Sequence, residues 1–212
     1  GDRVLLIDPK QRRYLITLKP AGEFHSHSGF VPHDSLIGSP EGVTVLSTRN
    51  VAYLAVRPTL SDFVLKMPRG AQVIYPKDLG PILMHADIFP GARVLESGVG
   101  SGALSMAMLR AGAEIVGSDA LERYRVELRD CYDGIEESDL DRVVLDLPEP
   151  WRVVPHAARA MHPGGILLAY TPSVVQVMQL REALENSPFD IPETLEVLNR
   201  SWHVEGAAVR PD

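Results

Sequence analysis

Apolar residues alternate with polar ones, or gather in short blocks, through the first third of the chain. Val4-Leu5-Leu6-Ile7 is closed by a turn at Asp8-Pro9-Lys10, and Arg13-Tyr14-Leu15-Ile16-Thr17-Leu18 alternates before Lys19-Pro20-Ala21-Gly22. Val43-Thr44-Val45-Leu46 and Ala52-Tyr53-Leu54-Ala55-Val56 supply two more such runs. Short strands bounded by Pro and Gly turns predict a small all-β, barrel-like domain over residues 1–65. Helical spacing first appears at 59–65. Residues 66–90 read as a linker, rich in Pro and Gly, leading into a short helix over 77–86.

From residue 91 the pattern changes to strand, glycine turn, helix. A strand over 92–96, a turn over 97–102 and an Ala, Leu and Met-rich helix over 103–110 come first. A buried strand over 143–146 ends in an acid. A helix over 153–161 is stopped by His162-Pro163-Gly164-Gly165, and a buried strand over 166–170 and an amphipathic helix over 173–185 follow. Continuous apolar strands alternating with helices predict an α/β domain with a parallel sheet over 91–212.

Composition narrows the classes. The 212 residues, 45% of them hydrophobic, suffice for a large core without staples. The single Cys131 excludes a disulfide framework and a cysteine-based zinc site. No apolar run approaches the roughly 18–20 residues that span a bilayer. The first residues have no signal-peptide pattern, so a cytoplasmic protein with no membrane attachment is expected. A net charge of −7 argues against coating nucleic acid by bulk charge, but leaves room for a local basic patch.

The densest motif is Val94-Leu95-Glu96-Ser97-Gly98-Val99-Gly100-Ser101-Gly102. Glycines allow a tight turn and close approach of a ligand to backbone, and the helix behind offers free N–H groups. Dinucleotide enzymes space their glycines G-x-G-x-x-G. Here the spacing is G-x-G-x-G after an acid, Glu96. A carboxylate is poorly placed for pyrophosphate but suits the ammonium of S-adenosyl-L-methionine, as in class I methyltransferases. The plain alternative is a glycine turn without a ligand.

A second motif, Asp146-Leu147-Pro148-Glu149-Pro150-Trp151, leaves the C-terminal edge of a buried strand, where open α/β sheets bind ligands. Asp146 there is suited to accept a hydrogen bond from an exocyclic amine on a planar base. The plain alternative is a strand-end acid with a packing Trp. A third stretch, Arg69-Gly70-Ala71-Gln72-Val73-Ile74-Tyr75-Pro76-Lys77-Asp78, offers Tyr75 for stacking on a base and Arg69 and Lys77 for phosphates. Its plain alternative is a linker with a buried Tyr. His25, His27 and His33 lack the Cys or fourth ligand that a metal site needs, so no metal is expected. Gly100-Ser101-Gly102 lacks the G-x-S-x-G form of a serine nucleophile.

Together these residues resemble one family, the tRNA (adenine-N1)-methyltransferases that modify adenine 58 in the T-loop, in their bacterial and archaeal homotetrameric form. The resemblance is carried by Phe24-His25-Ser26-His27-Ser28-Gly29, His33-Asp34-Ser35-Leu36-Ile37-Gly38, and residues 68–78, 87–102 and 145–151. It implies a class I S-adenosylmethionine-dependent methyltransferase (Rossmann-like) domain behind the β domain, tRNA as acceptor, and a homotetramer. By the same resemblance the loop of Glu96, Gly98, Gly100, Ser101, Gly102, Ala103 and Leu104 holds the methionine part of the cofactor. Asp130 lies near its adenine, Asp119 is a candidate for its ribose, Asp146 is the catalytic aspartate, and Tyr75 faces the target base.

Two departures follow. Residues 113–119 run almost directly into 124–128, where a doubly wound sheet needs a long crossover. Either Asp119 is the ribose acid and the helix behind it is missing, or residues 113–118 end a helix and a strand is missing. The chain also stops where the family turns into a final strand, so the expectation is a longer protein with further segments at both places. Two other functions stay open from the residues. One is a methyltransferase acting on a small molecule or protein, which the acidic balance favours. The other is a non-catalytic RNA-binding partner subunit, which the intact glycine loop and Asp146 oppose. A tRNA substrate requires the basic residues to be concentrated on one face, across subunits.

Overall fold

The computed structural model describes residues 1–67, 73–116 and 124–211. The chain divides into two compact units, Gly1–Pro68 and Arg69–Asp212. In the first, β1 (Arg3–Ile7), β2 (Arg13–Thr17), β5 (Val43–Leu46) and β6 (Ala52–Val56) form an antiparallel sheet of order β2-β1-β6-β5. β3 (Glu23–Ser26) and β4 (Gly29–Pro32) form a separate hairpin. The barrel-like expectation meets a ladder that stays open, an antiparallel sheet with a hairpin. The hairpin itself was hidden in the sequence, because its polar His and Ser residues leave no apolar run of the kind that marks the other strands.

Side chains close what the ladder leaves open. Leu6, Leu18, Val31, Leu36, Val45 and Tyr53 share one core, so the hairpin packs on the sheet through Val31. The rings of Tyr14 and Phe24 lie 5.1 Å apart and those of Phe24 and Tyr53 5.9 Å. The Tyr53 hydroxyl, on a fully buried side chain, meets Ser26 Oγ at 2.9 Å. Helix α1 (Leu60–Lys66) starts at Thr59, where Thr59 Oγ1 accepts from the Asp62 N–H and the Asp62 carboxylate accepts from the Thr59 N–H.

The second unit is built on a parallel sheet of order β10-β9-β7-β8, from β7 (Arg93–Ser97), β8 (Glu114–Val116), β9 (Leu140–Leu145) and β10 (Met161–Ala169). Helix α2 (Pro76–His85) precedes it, and α3 (Ala103–Arg110) and α4 (Val154–Ala160) connect its strands. Val94, Val143, Val144 and Leu145 have no exposed surface, so they fill the sheet interior, as the apolar runs require. Helix α5 (Val174–Glu185) and the hairpin of β11 (Trp202–Glu205) and β12 (Ala208–Pro211) follow. None of α5's residues is buried.

Residues 114–116 are a strand paired in parallel with β7, which overturns the alternative that 113–118 end a helix. Alternating apolar and small residues in so short a segment allowed both readings. Asp119 lies outside the described residues. Beyond it, Tyr124 bridges to Ile115 in the parallel sense. β10 starts at Met161, five residues earlier than the apolar run, with an irregular register between Met161 and Ile166 that absorbs Gly164-Gly165. The chain moves from β7 to β8 on one side and from β9 to β10 on the other. The order reverses between β7 and β9, which is where open α/β sheets bind ligands.

Candidate active site

The C-terminal ends of β7 and β9 place Glu96 and Asp146 side by side at that reversal. Glu96 is paired in register with Val144, and Ser97 with Leu145. The Asp146 N–H then donates to the Ser97 carbonyl at 2.9 Å. Gly98 turns the chain at φ +93°, and a β-carbon there would lie 2.0 Å from the Asp146 carbonyl oxygen. Only glycine fits this close backbone approach. Gly100 and Gly102 also take positive φ, at 51° and 77°, and Gly102 caps α3.

A cleft opens here, lined by Ile74, Glu96, Gly98, Val99, Ser101, Ala103, Leu104 and Asp146. Six of the sequence-predicted positions thus meet at one wall: Glu96, Gly98, Ser101, Ala103, Leu104 and Asp146. Gly100 and Gly102 shape the loop without lining it. Tyr75 is half exposed at the residue before α2, and its neighbour Ile74 lines the cleft instead. Asp130 is exposed, and its carboxylate accepts from the Tyr132 N–H at 2.9 Å. The next residue, Cys131, reaches the end of β7, where Ser97 Oγ donates to its sulfur at 3.0 Å.

Glu96 is 8% exposed. Burial pushes its pKa up to about 7, the Asp146 charge pushes the same way, and the Ser105 hydroxyl opposes both. Ser105 Oγ donates to Glu96 Oε2 at 2.5 Å and accepts from the Tyr124 hydroxyl at 3.1 Å. The sequence reading missed Ser105. Its signal was a small polar residue within the apolar run of α3, where a buried hydroxyl needs a partner. Burial also raises the pKa of Asp146. Its carboxylate accepts no hydrogen bond from the described residues, so its acceptor capacity is free.

Lys77, expected to meet phosphate, is engaged elsewhere. Its ammonium donates to Asp78 at 2.7 Å and to the Val197 carbonyl at 3.2 Å. Asp78 is buried and also accepts from the Tyr170 hydroxyl at 3.2 Å. Arg69 lies outside the described residues. Trp151 sits half-buried in a short 3-10 turn over Pro150–Arg152. Among the described residues no group of three His, Cys, Asp or Glu is arranged to hold a metal, and no helix is long and apolar enough to cross a membrane.

The chemistry of this wall fits S-adenosylmethionine. A buried carboxylate held on one oxygen has its other oxygen for an ammonium, and the glycine loop leaves the backbone bare beside it.

Two family descriptions match the chain. "TrmI-like N-terminal" matches residues 1–45, and "tRNA methyltransferase complex GCD14 subunit" matches residues 51–118 and 120–210. The tRNA (adenine(58)-N(1))-methyltransferase TrmI of Thermus thermophilus is 36% identical over 229 positions, covering 98% of this chain and 90% of the relative. The tRNA (adenine(57)-N(1)/adenine(58)-N(1))-methyltransferase TrmI of Methanocaldococcus jannaschii is 30% identical, covering 98% and 88%. Among solved structures, an S-adenosylmethionine-dependent O-methyltransferase from Thermotoga maritima superposes with a TM-score of 0.90 at 26% identity, covering 100% of this chain and 87% of that one. The tRNA (m1A58) methyltransferase TrmI from Aquifex aeolicus gives 0.83 at 26% identity, covering 100% and 91%. The Thermus alignment is longer than the 212 residues here, so the relative carries residues opposite gaps in this chain. The second family match parts at residue 119, outside the described residues.

Proposed function

The chain belongs to the tRNA methyltransferase family described by the GCD14 subunit, and from that premise we propose the roles of its site residues. It is an S-adenosylmethionine-dependent tRNA (adenine-58-N1)-methyltransferase, the activity that its curated relatives are named for. The observation that carries the assignment of roles is the meeting of Glu96, Gly98 and Asp146 at the sheet's reversal.

When bound, the cofactor supplies a sulfonium-activated methyl group. Glu96 anchors the amino-acid ammonium of its methionine part, and Gly98, Gly100, Ser101, Gly102, Ala103 and Leu104 form the bed beneath it. Asp130 serves the adenine end and Asp119 the ribose. The proximity of Cys131 to Ser97 supports the first of these.

Asp146 is the catalytic residue in this reading. Adenine N1 brings its own lone pair, so no side chain must remove a proton before attack. Positive charge grows on the ring as the N1–carbon bond forms. A carboxylate accepting from the exocyclic N6 amine orients the base and stabilises that charge in the transition state. Partial burial strengthens this interaction, and a carboxylate without protein donors has its acceptor capacity for the base. Tyr75, exposed beside the cleft-lining Ile74, stacks on the extruded adenine. Alignment of the reacting atoms supplies much of the remaining acceleration.

The homotetramer is supported by exposed apolar side chains on the second unit, among them Val174, Val175 and Met178 of α5 and Trp202, Val204 and Val209 of the terminal hairpin. A tRNA substrate supports a cytoplasmic location.

The second reading is O-methylation, the chemistry in the name of the Thermotoga structure. A hydroxyl acceptor must lose its proton, which asks for a base where adenine needs none. One experiment separates the two. The purified chain is incubated with S-adenosylmethionine and an unmodified tRNA transcript, which is then digested to nucleosides for mass spectrometry. 1-Methyladenosine that disappears when adenine 58 is replaced supports the tRNA assignment, and its absence defeats it.

A further inference from the structure

The whole-chain charge conceals a division. Residues 1–68 hold eight Lys and Arg against six Asp and Glu, whereas residues 69–212 hold 13 against 22. A polyanion meets net repulsion from the second unit and net attraction from the first.

At one end of the first unit three hairpin turns converge on His27. Arg12, from the turn between β1 and β2, places Nη2 2.9 Å from His27 Nε2. Arg49, from the turn between β5 and β6, donates through Nη1 to the His27 carbonyl at 3.0 Å. The same turn clamps the β3–β4 tip from beneath. Ser47 Oγ donates to the Ser28 carbonyl at 2.6 Å, and the Thr48 N–H donates to the Phe30 carbonyl at 2.9 Å. Gly29 holds φ +89°, and a β-carbon there would lie 2.5 Å from Thr48 Oγ1. The tip is therefore fixed against its neighbours.

The surface of this end presents one sign of charge. Within residues 8–12, 26–29 and 47–50 the one carboxylate is Asp8. Its side chain is 1% exposed and lies under the turn, accepting from the Lys10 and Arg12 N–H groups and from the Arg12 guanidinium. Lys10, Arg12, His27 and Arg49 are all exposed above it. Among the described residues no carboxylate pairs with Lys10 or Arg49. His25 is paired with Glu23 at 2.9 Å and stands apart from this group.

We infer that this end of the β unit docks the sugar–phosphate backbone of the substrate RNA. Lys10, Arg12 and Arg49 meet phosphates, and His27 is held between them as a further polar contact. The inference rests on the tRNA reading above and adds a basic surface on the unit whose net charge is positive. Such contacts fix position and register without reading bases. Because the turns are already pinned to one another, little backbone order is lost on binding.

The test uses the full chain and the double variant Lys10→Gln/Arg49→Gln. Arg12 is left intact because it neutralises buried Asp8. Affinity for an unmodified tRNA transcript is measured by fluorescence anisotropy across a salt series. Losing two phosphate contacts lowers affinity roughly 10-fold and makes the slope of log affinity on log salt shallower by about 1–2. KM for tRNA rises, kcat and S-adenosylmethionine affinity hold, and Arg49→Lys retains most of the binding. An unchanged affinity and slope in a variant of wild-type thermal midpoint overturns the docking site. Failure of the underlying reading looks different: the wild-type chain itself then binds no tRNA and yields no 1-methyladenosine.

Discussion

A β-carbon on Gly98 would stand 2.0 Å from the carbonyl oxygen of Asp146. The turn proposed to bed the cofactor and the acid proposed to meet the substrate are thus in backbone contact, across two strands far apart in sequence. The Asp146 N–H to Ser97 carbonyl bond ties the same two strand ends a second time. The proposed cofactor bed and the proposed catalytic acid are joined through backbone, and a disturbance of either moves both.

Gly98→Ala is therefore expected to be far more harmful than a loop glycine change usually is. The clash is with backbone, and φ +93° adds strain that an L-residue meets in left-handed space. Loss of about 3 kcal/mol or more is expected, with S-adenosylmethionine binding abolished. Gly102→Ala is the control, since nothing lies within 4 Å of its β-carbon position. It should lose only the roughly 1–2 kcal/mol of left-handed strain. Thermal unfolding and calorimetric titration of both variants check the contrast.

Asp146→Ala should leave cofactor affinity within a few-fold of wild type and lower kcat about 100- to 1,000-fold, the range for removing one preorganised electrostatic contact. The pH profile carries the sign. Burial raises the pKa of Asp146, and only the carboxylate stabilises a positive ring, so the acid limb of wild-type kcat lies above the ordinary aspartate range. Single-turnover rates at saturating tRNA measure it. Turnover near that of wild type in the Ala variant would remove Asp146 from the mechanism.

Most of the second unit was legible because its strands carry apolar runs and the central pair, β7 and β9, is largely buried. Val143-Val144-Leu145 and Ile166-Leu167-Leu168 announce themselves as uninterrupted apolar runs. The glycine loop was legible for the opposite reason, since so many glycines before a helix have few other uses. What stayed hidden was hidden by polar residues in structural roles. β9 begins at Leu140, three residues before its apolar run, because Asp141 and Arg142 belong to it. The β3–β4 hairpin was masked by the polar residues His25 and Ser26, and the Ser26 partner, Tyr53, is distant in sequence. Lys77 read as a phosphate contact because nothing local marks its bond to the Val197 carbonyl, 120 residues away. Residue pattern shows which face is apolar, but not which polar side chain already has a partner.

Arg142 makes that point testable. It is 6% exposed in the middle of a buried strand. Its Nε donates to the Ala86 carbonyl at 2.5 Å, its Nη1 to the Asp141 carbonyl at 2.8 Å, and its Nη2 to the Asp87 carboxylate at 2.8 Å. It thereby fastens the end of α2 to the sheet. Arg142→Ala leaves the buried Ala86 carbonyl without its donor and opens a cavity, whereas the exposed Asp87 carboxylate returns to water, so a loss of about 2–3 kcal/mol is expected. Arg142→Lys should recover only part, because one ammonium cannot serve the same forked set. Urea unfolding of the two variants gives the comparison.

Glu96 joins stability and function with opposite signs. Its pKa is raised from 4.5 to about 7, chiefly by burial. The folded chain therefore holds that proton more tightly than the unfolded chain, and this group's contribution to stability declines as pH rises from about 4.5 to about 7. Fully ionised, it costs about 3 kcal/mol in the ligand-free protein. Glu96→Gln removes that cost, so the variant should melt higher than wild type at pH 8 and differ little at pH 5. The same change removes the anion proposed to face the cofactor's ammonium, and affinity should fall about 10- to 100-fold. An ammonium beside Glu96 favours its ionised form. Wild-type binding should therefore release a proton at pH 6 and tighten toward pH 8, and the Gln variant should show neither effect. Calorimetry in buffers of different ionisation enthalpy counts the proton. A Gln variant that melts higher and still binds S-adenosylmethionine as wild type does would place the cofactor's anchor elsewhere.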